Sequence, residues 1–177
     1  MGNENTVKLI SLDTIPVQEV EWLVYPFIPC GKITIIQGDP GEGKTTFILQ
    51  LIARLTTGRP AWDGMPPITP GNVIYQTAED GLSDTIKPRL VAAGAACDKV
   101  LVIDDSDRAL TLEDDRLEQA IVQTHARLVV LDPIQGYIGA GVDMHRANEI
   151  RPLMHKVGVL AEKHHCAIVL IGHMNKN

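Results

Sequence analysis

The chain has 177 residues, of which 45% are hydrophobic, and this length and composition predict one globular domain with a sizeable core. Acidic residues outnumber basic ones 22 to 16, and the net charge of −6 argues against an autonomous nucleic-acid-binding protein, so any DNA contact must be local or depend on assembly. No apolar run is long enough to span a membrane, and residues 1–5 lack the features of a signal peptide. We therefore expect a cytoplasmic protein without a membrane partner.

The first predicted elements surround a glycine-rich loop. We interpret residues 1–21 as an N-terminal extension, and we predict the first strand of the core at 32–37. Behind the loop, apolar residues at helical spacing from Phe47 to Leu55 predict a helix that ends at Gly58. The loop itself consists of Gly38, Asp39, Pro40, Gly41, Glu42, Gly43, Lys44 and Thr45.

This loop has the complete G-x-x-x-x-G-K-T spacing of a Walker A motif. Its glycines let backbone N–H groups turn toward phosphate oxygens, and the following helix adds the positive end of its dipole. Lys44 is then placed to reach the β- and γ-phosphates, while the Thr45 hydroxyl is placed to ligate Mg²⁺. We predict that the eight loop residues, together with Thr46, bind ATP.

The middle of the chain alternates further strands and helices. Prolines and glycines make residues 58–71 a loop, which is followed by a strand at 72–76. A helix at 83–93 contains Pro88, which must begin a new turn or kink it, and ends at Gly94. A short strand at 100–103 comes next. The following surface helix, at 112–124, has three apolar residues on one face, Leu117, Ile121 and Val122.

The last part of the chain contains two more predicted strands. The strand at 128–131 ends at Asp132, and the glycine-containing segment 135–143 behind it is predicted as a mobile loop. Asp143 is a candidate cap for the next helix, and the final strand is predicted at 167–171. The apolar face of that helix comprises Ile150, Leu153, Met154, Val157, Leu160 and Ala161.

Short apolar strands that alternate with helices are typical of an α/β fold, in which a mostly parallel central sheet has helices on both faces. Ligands of such sheets bind at the carboxyl ends of the strands. The polar residues of this chain follow those ends: the loop 38–45, Glu79, Asp132 and His173. We expect these groups to meet at one edge.

Asp132 has the form of a Walker B aspartate, which holds Mg²⁺ opposite Thr45. Hydrolysis also needs a group that accepts a proton from the attacking water, and Pro133 occupies the position directly after Asp132. We predict Glu79 for that role, with Asp80 as the alternative, although an acidic residue there also suits the start of a helix. His173 is a candidate sensor of the γ-phosphate.

The cysteines, Cys30, Cys97 and Cys166, are odd in number and widely spaced, which is typical of reduced thiols. The run 164–166 contains two histidines and a cysteine. Neighbouring side chains seldom converge on one ion, so we predict that this run is a helix end leading into a strand and not a metal site.

Five segments resemble the successive motifs of RecA-like P-loop ATPases: 38–45, 77–80, 87–90, 128–132 and 172–176. They are most similar to the AAA-type branch that contains the plasmid replicative helicase RepA, with DnaB and KaiC as more distant relatives. The resemblance covers residues 22–177 and implies a RecA-like ATPase core.

The resemblance also implies roles for individual residues. It assigns the catalytic base to Glu79, Mg²⁺ binding to Asp132 and sensing of the γ-phosphate to His173. Arg89 corresponds to an arginine that lies against the adenine ring, although its spacing from Glu79 differs by about one residue. The region 136–151 corresponds to the part that lines the DNA channel of ring-shaped relatives, but an ordinary connecting loop fits the same residues.

The family pattern continues beyond the sensor with strands that carry an arginine finger, and this sequence stops at Asn177. We interpret the core as truncated after its fifth strand. An arginine finger contributes about 10³ to 10⁵ in rate in related systems, so we expect slow hydrolysis by the isolated chain.

Three functions fit the motifs. The first is a Mg²⁺-dependent ATP-driven DNA motor of helicase or recombination type, which works as a homo-oligomeric ring, as a hexamer in the full-length protein, and binds single-stranded DNA. The second is a KaiC-like regulatory ATPase that acts on protein partners. The third, a small-molecule kinase, needs an arginine-rich lid that the sequence does not show.

Overall fold

The core of the protein is a five-stranded parallel sheet, in a computed structural model that describes residues 7–142 and 146–173. A short antiparallel hairpin, β1 (Trp22–Val24) and β2 (Ile28–Pro29), precedes it. The strands of the sheet are β3 (Ile33–Gly38), β4 (Val73–Thr77), β5 (Val100–Leu101), β6 (Leu128–Asp132) and β7 (Ala167–His173). Their order is β3-β7-β6-β4-β5, so the last strand of the chain lies between β3 and β6.

Four α-helices connect the strands in the described part of the chain: α1 (Lys44–Thr57), α2 (Lys87–Ala92), α3 (Asp115–Thr124) and α4 (Ala147–Lys163). A π-helical turn, Leu82–Ile86, leads into α2, and a 3₁₀ turn, Ile134–Tyr137, follows β6. None of the helices in the described ranges is long and apolar enough to cross a membrane.

The helices cover both faces of the sheet. The side chains of β6 and β7 alternate between two apolar clusters, and one cluster includes buried residues of α1 and α2 while the other includes buried residues of α3 and α4. In β6, for example, Val130 belongs to the first cluster and Val129 to the second. Burial on both faces explains why the strands are continuously apolar. The predicted α/β class is confirmed.

The element positions agree with the sequence in most places. Gly58 caps α1 in the left-handed conformation, with φ 76°, and Gly94 has φ 75° at the end of the α2 segment. The apolar face predicted for the last helix is also correct. Its members are buried or packed against the second cluster: Ile150, Leu153, Met154, Val157, Leu160 and Ala161.

Several boundaries differ from the prediction. α3 begins at Asp115, not at 112, because the Asp114 side chain caps it by accepting a hydrogen bond from the Arg116 amide. Val122 is 51% exposed, so it does not share the buried face of Leu117 and Ile121.

The loop prediction also needs correction. The predicted loop at 135–143 begins with the 3₁₀ turn, and its Tyr137 is buried. Asp143 lies outside the described residues, and the N-cap position of α4 is Arg146.

Candidate nucleotide-binding site

The loop between β3 and α1 depends on glycine at two positions. Gly41 and Gly43 both have φ 84°, a conformation that other residues rarely adopt, and Gly43 is the N-cap of α1. Phe47 donates the hydrogen bond to Gly43 that opens the helix, at 2.8 Å. The N–H groups of residues 44–46 come before this first helical hydrogen bond, so no carbonyl within the helix accepts from them. They form a group of donors suited to phosphate oxygens.

Side chains of the loop fold back onto its own backbone. The Lys44 ammonium donates hydrogen bonds to the Gly38 and Asp39 carbonyls, at 2.9 and 2.7 Å. The Glu42 carboxylate accepts one from the Asp39 amide at 2.7 Å. The Lys44 charge is therefore held at the loop, where it can meet the phosphates of a nucleotide.

Asp132, at the carboxyl end of β6, is buried and faces the start of α1. Its Oδ2 accepts a hydrogen bond from the Thr45 hydroxyl at 2.7 Å, across 87 positions of sequence. The residue is only 4% exposed. A carboxylate and a hydroxyl are hard oxygen ligands, the type that Mg²⁺ prefers, so these two residues fit a magnesium site beside the loop.

Tyr75 is a further residue of this site, and the sequence analysis missed it. Its hydroxyl donates a hydrogen bond to the same Asp132 Oδ2 at 3.0 Å, and its side chain is fully buried. Burial, together with the Asp132 charge, raises the pKa of Tyr75 far above its usual range, so the phenol remains a donor. The available signal was a tyrosine that follows Val73 and Ile74 in β4, two residues before the strand ends.

Tyr75→Phe should remove this hydrogen bond while it preserves the packing of the ring. Hydrogen bonds to charged groups contribute roughly 1.5 to 3 kcal/mol, so we expect a loss of that order in the free energy of unfolding. Urea denaturation of the two proteins measures it. An unchanged denaturation midpoint would show that the phenol does not support the buried carboxylate.

Glu79 and His173 lie next to each other, although 94 positions separate them in the sequence. His173 ends β7 and pairs with Gly38 of β3, which places it beside the first residue of the loop. Its Nε2 is 3.3 Å from Glu79 Oε2. The Glu79 side chain is 62% exposed, so water reaches it.

A glutamine links His173 to the turn after β6. Gln135 Nε2 donates a hydrogen bond to the His173 carbonyl at 3.2 Å. Among the described residues, no hydrogen-bond partner reaches His173 Nδ1 or Gln135 Oε1, although both atoms are buried. Buried polar atoms usually have a hydrogen-bond partner. Two neighbouring atoms that can each accept or donate one more hydrogen bond are suited to a site whose hydrogen bonds change when a ligand binds.

Two of the predicted nucleotide contacts are less closely tied to the loop. Thr46 is exposed in the first turn of α1. Arg89 is exposed on α2, which packs against α1, and within the described ranges no hydrogen bond or ion pair joins its side chain to the loop. The structure thus brings together Lys44, Thr45 and Asp132, and separately Glu79 and His173, but not Arg89.

Comparison with known proteins identifies the family of this chain. The AAA domain family matches residues 3–177. The DNA repair protein RadA of Halalkalibacterium halodurans is 27% identical over 148 residues, which are 82% of this chain and 28% of that protein. The chain thus spans less than a third of the length of this relative. With its phosphate loop, parallel sheet and Walker-type aspartate, the chain belongs to the AAA domain family as a RecA-like P-loop ATPase core.

Proposed function

We propose that this chain is the Mg²⁺-dependent ATP-hydrolysing core of a DNA motor of helicase or recombination type, from a branch similar to the replicative helicase RepA. The observation that carries the proposal is the position of two side-chain pairs. Thr45 and Asp132 meet at the start of α1, and Glu79 and His173 meet at the neighbouring strand ends. Together they supply the metal ligands, the proton acceptor and the sensor that such hydrolysis needs.

Each pair has its own task in this proposal. Residues 38–46 hold the phosphates, and Lys44 leaves its carbonyl partners to neutralise the β- and γ-phosphates. Thr45 and Asp132 hold Mg²⁺, which supplies positive charge to the phosphate oxygens when bound. Glu79 orients the attacking water and accepts its proton, and Arg89 lies against the adenine.

His173 is suited to pass the state of the nucleotide to the segment after β6. Its carbonyl accepts the Gln135 hydrogen bond, and Gln135 belongs to the turn that opens the region 136–151. A shift of His173 toward a γ-phosphate therefore acts directly on this turn. We assign single-stranded DNA binding to the same region, with Arg146 and Arg151 as its cationic residues; Arg146 also pairs with Glu149 at 3.2 Å.

Assembly into a ring is supported by the N-terminal arm, which we define as residues 7–20. All of these residues are exposed, and the exposed fraction reaches 98% at Val17. The other large apolar side chains that the arm exposes are Val7, Leu9, Ile10, Leu12, Ile15 and Val20. An exposed apolar patch of this kind marks an interaction site, and we assign it to contacts between copies of this chain, as a hexamer in the full-length protein.

A relative described as a DNA repair protein adds support for a DNA partner, although the match covers 28% of that protein. The net charge of −6 instead favours a KaiC-like regulatory ATPase that acts on proteins. The two functions differ in their response to DNA.

The experiment that separates them is steady-state ATP hydrolysis with and without single-stranded DNA at low salt, together with the size of the protein in ATP. For a motor we expect stimulation by DNA, and less of it in Arg146→Ala and Arg151→Ala, because each removes a phosphate contact. Arg54→Ala, on the far part of α1, is the control for loss of an arginine, with circular dichroism to check its fold because Arg54 donates a hydrogen bond to the Pro60 carbonyl at 2.9 Å. If the protein forms an oligomer in ATP but DNA does not change its rate of hydrolysis, the regulatory function would be favoured.

A further inference from the structure

Three potential metal ligands converge at the amino ends of β3 and β7, which is the edge of the sheet opposite the phosphate loop. Glu21 directly precedes β1, Cys30 directly follows β2, and His165 lies between α4 and β7. Their ligand atoms all lie within 4.8 Å of one another. The proposed ATPase uses none of these residues.

The separations suit a tetrahedral ion. His165 Nε2 is 2.8 Å from Glu21 Oε2, and Cys30 Sγ is 4.0 Å from Glu21 Oε1. Zinc binds sulfur at about 2.3 Å and nitrogen or oxygen at about 2.0 to 2.2 Å, so tetrahedral ligand atoms lie roughly 3.3 to 3.6 Å apart. These two distances fall on either side of that range, each within about 0.5 Å of it.

We propose that Glu21, Cys30 and His165 form a zinc site. Thiolate and imidazole ligands select zinc over Mg²⁺ or Ca²⁺, which prefer oxygen. Three protein ligands leave a fourth position for water. Because Glu21 and Cys30 lie at the two ends of the β1–β2 hairpin and His165 follows α4, the ion ties the hairpin to the end of α4.

Backbone geometry already holds the ligands in place. The Cys30 amide donates a hydrogen bond to the Glu21 carbonyl at 2.8 Å, and the His165 amide donates one to the Glu162 carbonyl at 3.2 Å. His165 has φ 50°, which is uncommon for a residue other than glycine. Gly31, directly after Cys30, has φ 69°, a conformation that favours glycine, and its Cα lies beside the His165 ring.

Two contacts of Glu21 compete with the ion, because Arg127 Nη2 lies 3.8 Å from Oε1 and His165 is hydrogen-bonded to Oε2. The hydrogen bond from His165 also lowers the pKa of Glu21, which keeps the carboxylate ionised and able to bind a cation. Burial and the Glu21 charge raise the pKa of the Cys30 thiol. Zinc removes the proton from a coordinating thiol, and a thiolate with a carboxylate balances its charge. Glu21 is 59% exposed on its side chain, so it can turn from Arg127 to the ion.

The test uses the purified chain with Co²⁺ as a spectroscopic substitute for zinc. We expect one ion per chain, visible absorption typical of tetrahedral cobalt, a near-ultraviolet band from a thiolate ligand, and displacement of cobalt by Zn²⁺. Cys30→Ser should remove the thiolate band. Loss of a residue that only hydrogen-bonds to a metal ligand weakens metal binding by roughly 10- to 100-fold. Cys30→Ser and His165→Asn each remove a ligand itself, so each should weaken cobalt binding by at least that factor.

The chain offers a matched control for each variant. Cys97→Ser removes a cysteine elsewhere, and His125→Asn replaces a histidine that, among the described residues, shares the left-handed backbone of His165, with φ 51°. Asparagine tolerates that conformation, and circular dichroism checks that all variants fold. Absence of the cobalt spectrum in the wild-type chain, or equal binding by Cys30→Ser and Cys97→Ser, would overturn the zinc site.

Discussion

Glu79→Gln should reduce the rate of ATP hydrolysis by about 10² to 10⁴, the usual contribution of a positioned general base. ATP affinity should stay within about twofold, because Glu79 acts on the water and adds little to nucleotide binding. Steady-state hydrolysis and binding of a fluorescent ATP analogue measure the two effects.

The structure makes this substitution informative. Glutamine keeps the length of the side chain, and its amide can still meet the His173 ring, which lies 3.3 Å from Glu79 Oε2. The carboxylate is on the surface, so its loss leaves no buried group without a partner. A lower rate therefore reports the lost proton acceptor and not a change of fold.

Asp80→Asn is the matched control, since Asp80 is the alternative base. The turn at Asp80 is fixed by its backbone amide, which donates to the Thr77 hydroxyl at 3.1 Å, so the side chain can change without loss of this bond. We expect Asp80→Asn to retain most of the activity. If it lost hydrolysis while Glu79→Gln did not, the base would be Asp80.

The elements of this fold were predictable because local patterns determine them. Continuous apolar runs indicate strands buried on both faces, and Gly43 and Gly58 mark the ends of α1 through their positive φ. The order of the strands was not predicted. β7 pairs with β3 and β6 through contacts between residues far apart in sequence, and hydrophobic pattern alone does not specify such partners.

Residues that act through distant partners were the hardest to predict. Tyr75 fits an apolar strand equally well as a core residue, and only its pairing with Asp132 reveals its hydroxyl as part of the site. His165 was predicted to be part of a helix end, and its neighbour His164 pairs with Glu118. Its actual partners, Glu21 and Cys30, lie more than a hundred positions away.

The start of α3 was missed for a local reason. Asp114 and Asp115 are both suitable caps, but the predicted helix began at the apolar Leu112. The cap bond to the Arg116 amide, at 2.9 Å, fixes the boundary. The position of the site could therefore be predicted from the ends of the strands, whereas the contacts that support it are visible only in the folded chain.

Asp114→Asn is the control for a substitution of Asp132, the magnesium ligand proposed above. Its carboxylate is also nearly buried, but it lies at the start of α3, where hydrogen bonds from Arg116 lower its pKa to about 2. Asparagine still caps the helix, so the substitution should destabilise the protein only slightly, through loss of the charge that pairs with Arg116. Hydrolysis at a temperature where the variant is folded should be unchanged.

Asp132→Asn should reduce Mg²⁺-dependent hydrolysis by about 10² to 10³, which corresponds to about 3 to 4 kcal/mol of transition-state stabilisation. Asparagine keeps an oxygen that can accept from Thr45 and Tyr75, which now bond to Oδ2 at 2.7 and 3.0 Å, but it removes the charge that holds the metal. ATP binding without Mg²⁺ should persist. Titration of the hydrolysis rate with Mg²⁺ measures the effect, and full activity at the same magnesium concentration as wild type would mean that another group holds the ion.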